Sequence, residues 1–165
     1  MKSGLGLTLL IVAFGIVGTA LLLFREPHYH GAGRKLIPKD GLKVLENGGE
    51  FILLSLDYRP WMKSTNNFHG FPIVGKIEIK DPVQRHAILD SLYEGVAYNG
   101  LEAACFNPRF GIHAQMENQI EDLVICFECN QVYFYGVTQG KWLTSGAPAE
   151  IFNRVLSDAH ISIIE

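Results

Sequence analysis

The chain has 165 residues, of which 48% are hydrophobic, and its 14 Lys and Arg against 17 Asp and Glu give a net charge of −3. Without an apolar N-terminal stretch of roughly 24 residues and a connector after it, about 125 residues remain, which is the size of one domain and leaves no room for a second. Because both signs of charge are scattered along the chain, the composition also excludes an extended basic surface for nucleic acid.

The N-terminal residues 1–24 predict a transmembrane helix. The stretch Gly4 to Phe24 carries no charged residue, and about 20 helical residues span the roughly 30 Å hydrocarbon core of a bilayer. A cleaved secretory signal is the alternative, because the small residues Gly18 and Ala20 offer a cleavage position. The apolar run continues from Leu21 to Phe24, which favours an uncleaved, single-pass signal-anchor.

Two opposing signals bear on the side of the membrane at which the soluble domain lies. Four basic residues follow the apolar run between positions 25 and 39 and only Lys2 precedes it, so the positive-inside rule favours the cytoplasm. A short charged start before an apolar run instead drives translocation of the chain that follows. We expect the second signal to dominate, which predicts a domain on the extracytoplasmic side.

Residues 25–40 are polar and rich in Pro and Gly, which is typical of a connector. From there the pattern becomes globular, and we place one domain at residues 41–165. Its first element is a short helix that contains Leu42 and Leu45 and ends before Gly48.

Strands and a helix follow in the first half of the domain. The apolar run Glu50 to Asp57 has strand length, and the loop after it carries Trp61, which we predict to lie on a binding surface. Phe71 to Lys80 alternates between apolar and charged residues, as a half-buried strand does. Asp81 as N-cap and Pro82 at the first helical position then predict the start of a helix.

The second half of the domain is predicted to be rich in strands. A charged hairpin tip is expected to contain Glu117, Asn118, Glu121 and Asp122. A closing helix runs from Pro148 to about Asp158. The predicted strands are Ala103 to Asn107, Ile112 to Met116, Asp122 to Glu128 and Val132 to Gly136. This order predicts an α+β domain with helices packed on one face of a mainly antiparallel sheet.

All three cysteines lie in two segments, CFNPRFGIHA from Cys105 to Ala114 and DLVICFECN from Asp122 to Asn130. Here the chain resembles a family of uncharacterised bacterial proteins that pair a C-F-x-P-R motif with a downstream C-F-E-C motif. The resemblance extends back to about residue 70, does not cover the N-terminus and implies no function. Relatives often have His after the Pro-Arg pair, where this chain has Phe110, so a His-dependent role at that position is not expected.

The second cysteine segment is expected to enter a hairpin. If residues 130 and 131 form its tight turn, Cys126 and Cys129 point to opposite faces of the strand. A bond between these two then requires the strand to break near Glu128. Cys105 is left to pair with one of them or with neither.

Three interpretations of the cysteines stay open. In an exported domain, one disulfide links Cys105 to Cys126 or Cys129 and leaves the third thiol buried. Alternatively, all three are buried as small apolar residues. In the third interpretation they are functional: Cys105, His113, Cys126 and Cys129 could bind zinc, or the CxxC could be a redox pair. We expect no cofactor, with zinc as the alternative.

Arg109 and Glu128 are, with Trp61, the predicted binding residues. The guanidinium of Arg109 could face an anionic ligand or pair with Glu128. No spacing assembles a nucleophile, a base and an orienting group, so the sequence predicts no catalytic residue and favours a non-enzymatic protein. We therefore expect a membrane-anchored interaction or ligand-binding module with an unidentified protein or small-molecule partner. A zinc-stabilised or thiol-active domain is the alternative.

Overall fold

The computed structural model describes residues 29–59 and 64–164. The predicted membrane helix and Trp61 lie outside these ranges. The described part contains a 3-10 helix, three α-helices and seven strands. In chain order these are the 3-10 helix Ala32–Leu36, α1 Lys39–Asn47, β1 Glu50–Leu56, β2 Asn67–Phe68, β3 Phe71–Glu78, α2 Pro82–Val96, β4 Phe110–Met116, β5 Gln119–Cys126, β6 Gln131–Gly136, β7 Gly140–Leu143 and α3 Ala149–Asp158.

The strands form one curled sheet in the order β2-β3-β1-β4-β5-β6-β7. Every neighbouring pair is antiparallel. The stretch from β4 to β7 is a meander, in which each strand pairs with the next one along the chain. An α+β fold with an antiparallel sheet is therefore confirmed.

The main core lies between the helices and one face of the sheet. It combines buried residues of α1, α2 and α3 with inward-facing strand residues, among them Leu45, Leu92, Leu123, Phe134 and Phe152. A second, smaller cluster lies on the opposite face and contains Leu54, Leu56, Phe68 and Val124. None of the described helices contributes to this second cluster, and we call the sheet surface that carries it the helix-free face.

The start of α2 follows the predicted capping chemistry. The Asp81 carboxylate accepts a hydrogen bond of 3.0 Å from the backbone N–H of Val83, and Pro82 occupies the first helical position. This satisfies one of the N–H groups that a helix start leaves without a partner inside the helix. The capping prediction is confirmed.

Residues 29–38, which fall within the predicted connector, pack on α2. The ring of Tyr29 meets that of Tyr93 edge-on, with centroids 5.8 Å apart. A Cβ atom on Gly31 would lie 2.1 Å from the Cβ of Tyr93, so only glycine permits this approach. This segment is therefore part of the folded domain.

The predicted strand from Ala103 to Asn107 is wrong. This segment is irregular, and its carbonyl groups bond to the side-chain amide of Gln131 rather than to a neighbouring strand. The two edge strands β2 and β7, with two and four residues, are additions to the predicted elements. Such short segments carry too little alternation to predict a strand.

The predicted turn of the β5–β6 hairpin is also wrong. Cys126 pairs with Gln131, so four residues from Phe127 to Asn130 form the turn instead of two. Phe134 consequently pairs with Leu123. A two-residue turn at positions 130 and 131 would have paired it with Phe127, which lies four positions further on. Because a shift by an even number of residues keeps each side chain on its face, alternate residues of both strands still face the main core, namely Leu123, Ile125, Val132 and Phe134.

The tip of the β4–β5 hairpin contains only two of the four residues predicted for it. Glu117 and Asn118 form the turn, where Glu117 has a positive φ of 55°. Glu121 and Asp122 lie inside β5 instead, and Glu121 is fully buried in the main core.

Candidate functional site

The two cysteines of the C-F-E-C segment lie on either side of a tight reversal of the chain. β5 ends at Cys126, and the turn formed by residues 127–130 carries Cys129 back towards it. Their Cα atoms are 5.2 Å apart and their sulfurs are at bonding distance, so Cys126 and Cys129 form a disulfide. The strand thus ends before Glu128, which is the condition that this bond requires.

Cys105 lies against this turn as an exposed free thiol. Its Sγ atom is 3.0 Å from the Sγ of Cys129. The side-chain amide of Gln131 holds the segment in place by donating to the carbonyl oxygens of Ala103 at 2.7 Å and of Cys105 at 3.1 Å. The disulfide that we expected from Cys105 to Cys126 or Cys129 is not formed, because Cys126 and Cys129 are bonded to each other.

Arg109 and Glu128 form an ion pair beside the disulfide. Nη1 of Arg109 is 3.0 Å from Oε1 of Glu128, and the guanidinium lies 5.7 Å from the ring centre of Tyr58. Arg109, Glu128 and Cys126 line a cavity of about 100 Å³. Since drug-sized ligands need roughly 300 Å³ or more, this cavity holds only a few water molecules. The predicted pairing of Arg109 with Glu128 is confirmed. Trp61, the third predicted binding residue, lies outside the described residues.

His113, the fourth member of the predicted zinc set, lies away from the cysteines. It pairs across the sheet with Asp122, four positions before Cys126 on β5, which is roughly 13 Å at 3.3 Å per residue. Nδ1 of His113 and Nε2 of His69 each lie 2.7 Å from one oxygen of the Asp122 carboxylate. In residues 29–59 and 64–164, no three or more His, Cys, Asp or Glu side chains are arranged to hold a metal ion.

Aromatic side chains form a row on the helix-free face. The rings of His69 and Tyr135 are stacked, with centroids 4.2 Å apart and 11° between their planes. Tyr133 follows at 6.4 Å from Tyr135, and Phe106 packs edge-on against Tyr133 at 4.6 Å. Burial raises the pKa of the Tyr135 phenol above its ordinary value, so this ring is neutral at physiological pH.

Two exposed aliphatic side chains adjoin this row. Ile120 and Val137 are each 39% exposed, and the N–H of Val137 donates to the carbonyl of Ile120 over 3.0 Å. We call the set of Ile120, Tyr133, Tyr135, Val137 and His69 the tyrosine patch. Tyr133 and Tyr135 also line an open cleft of about 400 Å³.

The sequence interpretation missed the patch as a site. Alternation in β6 places Tyr133 and Tyr135 on the face opposite to Val132, which is the signal that was present in the sequence. His69 and Asp122 are 53 residues apart, and no local pattern relates two positions at that separation.

Comparison with known proteins found no matching family model, no matching curated protein and no matching solved structure. The resemblance to proteins with paired C-F-x-P-R and C-F-E-C motifs therefore stays a prediction. Within the described ranges, no helix has both the length and the apolar character needed to cross a bilayer. The predicted anchor at residues 1–24 lies outside those ranges.

Proposed function

We propose that this chain is a membrane-anchored, non-enzymatic binding module that receives a basic segment of a protein partner on the tyrosine patch. The observation that carries the proposal is the aromatic row on the helix-free face, in which His69 and Tyr135 are exposed. The membrane part, with the domain on the extracytoplasmic side, rests on the apolar N-terminal run.

The composition of the patch supports a protein partner. Seven large hydrophobic side chains are exposed in the described residues, and three of them, Ile120, Tyr135 and Val137, belong to the patch. Apolar side chains that cluster on a surface mark interaction sites more often than scattered ones do. Tyrosine is enriched at protein interfaces because its ring packs while its hydroxyl stays hydrated.

The charges around the patch favour a basic partner. Asp122 lies opposite Tyr135, and Glu50 lies 3.8 Å from the ring of His113, which Asp122 also contacts. The ammonium group of Lys141, at the cleft, is paired with Glu102. These surroundings therefore hold three carboxylates, those of Asp122, Glu50 and Glu102, against the one ammonium group of Lys141. The faces of tyrosine rings also attract cations, so arginine and lysine side chains match this surface.

The hydrogen bonds of the two imidazoles support a non-enzymatic role. His69 and His113 both bond to Asp122. Among the described residues, neither ring bonds to a Ser, Thr or Cys side chain, which a nucleophile activated by these bases would require.

Binding of model peptides to the full chain in nonionic detergent tests the proposal. The probe is a dye-labelled peptide of alternating arginine and alanine, and its counterpart has glutamate in place of arginine. We expect the arginine peptide to bind and Tyr135→Ala to weaken its affinity about tenfold, because truncating a central interface tyrosine costs more than 1 kcal/mol. Fluorescence anisotropy measures both affinities.

The matched control is Val83→Ala, which shortens an exposed side chain on α2, away from the helix-free face. It should bind the arginine peptide as the unmodified chain does. Equal binding of the two peptides, or equal affinities for Tyr135→Ala and Val83→Ala, would contradict the proposal.

The alternative function, a zinc-stabilised or thiol-active domain, is favoured by the meeting of Cys105, Cys126 and Cys129. Zinc binds thiolates, so the disulfide must first be reduced. Metal analysis of the reduced full chain after equilibration with zinc checks this alternative.

A further inference from the structure

An exposed thiol lies beside a buried disulfide in this domain. Cys126 and Cys129 are each 1% exposed, whereas Cys105 is exposed. A reductant in solution therefore has little access to the disulfide itself. The Sγ of Cys105 reaches it, at 3.0 Å from the Sγ of Cys129.

The approach of Cys105 is held by hydrogen bonds on both sides of the contact. The N–H of Ala103 donates to the carbonyl of Cys129 at 3.0 Å, and the Gln131 amide binds the carbonyls of Ala103 and Cys105. The N–H of Asn107 donates to the Cys129 sulfur at 3.4 Å. Reacting atoms held about 3 to 3.5 Å apart need little further ordering to react.

The surroundings of Cys126 favour it as a leaving group. The backbone N–H of Cys129 donates to the Cys126 sulfur at 3.2 Å, and this bond strengthens when the sulfur carries negative charge. The cavity beside Cys126 is also lined by Arg109 and by Glu128, its ion-pair partner. Exchange is faster when the departing thiolate is stabilised.

We propose that the three cysteines form a thiol–disulfide relay, which is independent of the binding function of the tyrosine patch. The thiolate of Cys105 attacks the Sγ of Cys129, and a Cys105–Cys129 bond forms while the Cys126–Cys129 bond breaks. The bonding pair leaves on Cys126, which takes up a proton in place of the one that Cys105 released. No net oxidation or reduction occurs in this step.

The relay brings the disulfide to the surface, because Cys105 is exposed. A dithiol from outside then attacks the Cys105 sulfur and forms a mixed disulfide, with Cys129 leaving as a thiolate. The second thiol of the reductant releases Cys105. Two electrons pass from the dithiol, which becomes a disulfide, to the domain, which becomes a trithiol.

Reduction kinetics of the oxidised full chain test the relay, with dithiothreitol as the probe. We expect Cys105→Ser to slow the reduction of the Cys126–Cys129 bond about tenfold or more, because dithiothreitol must then attack the buried disulfide directly. The matched control, Ala104→Ser, changes the neighbouring exposed residue and should keep the unmodified rate. Reduction of Cys105→Ser at the unmodified rate would overturn the proposal.

A second measurement needs no substitution. It tests the relay even if Cys105→Ser disrupts the turn formed by residues 127–130. The oxidised chain is incubated at mildly alkaline pH, unfolded in acid to stop exchange, and alkylated there with a maleimide. Label divided between Cys105 and Cys126, with Cys129 always unlabelled, supports the relay. Label on Cys105 alone would show a static disulfide and overturn it.

Discussion

Glu121 is a buried carboxyl group enclosed between α1 and the β5–β6 pair. Its Oε2 accepts a 2.8 Å hydrogen bond from the N–H of Thr138. A Cβ on Gly41 would lie 2.9 Å from the same oxygen, so the helix can approach this closely only with glycine there. Burial, which disfavours the charged form, raises the pKa of Glu121 to about 7.

We expect Glu121→Gln to remove a pH dependence of stability. Because the pKa rises from 4.5 in the unfolded chain to about 7 in the fold, the native state holds its proton more tightly. Stability is then full below the unfolded pKa, falls as the pH rises towards 7, and stays level above it, with a loss on the order of 2 to 3 kcal/mol. Glutamine keeps the Thr138 bond without the charge.

Denaturant unfolding at pH 5 and pH 8 measures this effect. The control is Glu117→Gln, the same change at the exposed β4–β5 turn, and it should leave the pH dependence unchanged. An unaltered pH dependence in Glu121→Gln would show that the carboxyl is hydrated in solution.

The side chain of Arg85 links α2 to the end of α1 by hydrogen bonds. The Arg85 guanidinium, on α2, donates to the carbonyl oxygens of Leu45, at the end of α1, and of Gly48 just beyond it. It also lies 4.7 Å from the ring centre of Phe51. These carbonyls belong to the group that a helix end leaves without partners inside the helix, and they carry the negative end of its dipole.

Arg85→Met should lower the free energy of unfolding by about 2 to 3 kcal/mol, because methionine retains the apolar stem and leaves the partly buried carbonyls unpaired. Chemical denaturation checks the value. Arg154→Met, at an exposed position of α3, is the comparison variant, with an expected change within about 0.5 kcal/mol. Similar losses in the two variants would mean that Arg85 contributes only as a surface residue.

For the whole molecule, the apolar run of residues 5–24 predicts firm membrane attachment. The full chain should remain with membranes through a carbonate wash, because the run is as long as a bilayer core is thick. Recovery of a soluble protein that starts near Leu21 would identify a cleaved signal instead. C-terminal fusions to reporters that are active on one side only should report the extracytoplasmic side.

Much of the element order follows from the sequence. Alternation in β3, the N-cap at Asp81 and the Asn-Gly-Gly breaker after α1 are local signals, and the structure places a strand, a helix start and a helix end at them. Alternation alone would place Ile73 on the same face of β3 as Ile77, but the two side chains pack in different clusters. A register shift between Ser55 and Leu56 moves Ile73 from the main core to the second cluster, and this shift depends on the partner strand.

By itself the sequence determined which face of each hairpin strand is buried, and it marked the cysteine segments as the chemically informative part. Alternation with a period of two fixes that face. It does not fix the pairing, because a strand can shift along its partner by any even number of residues and keep the same face buried. Only the tertiary structure decided that Cys126 bonds to Cys129, that Cys105 meets them, and that His69 and His113 share Asp122. Each of these contacts depends on turn length or on pairing between distant segments, and no local pattern encodes either.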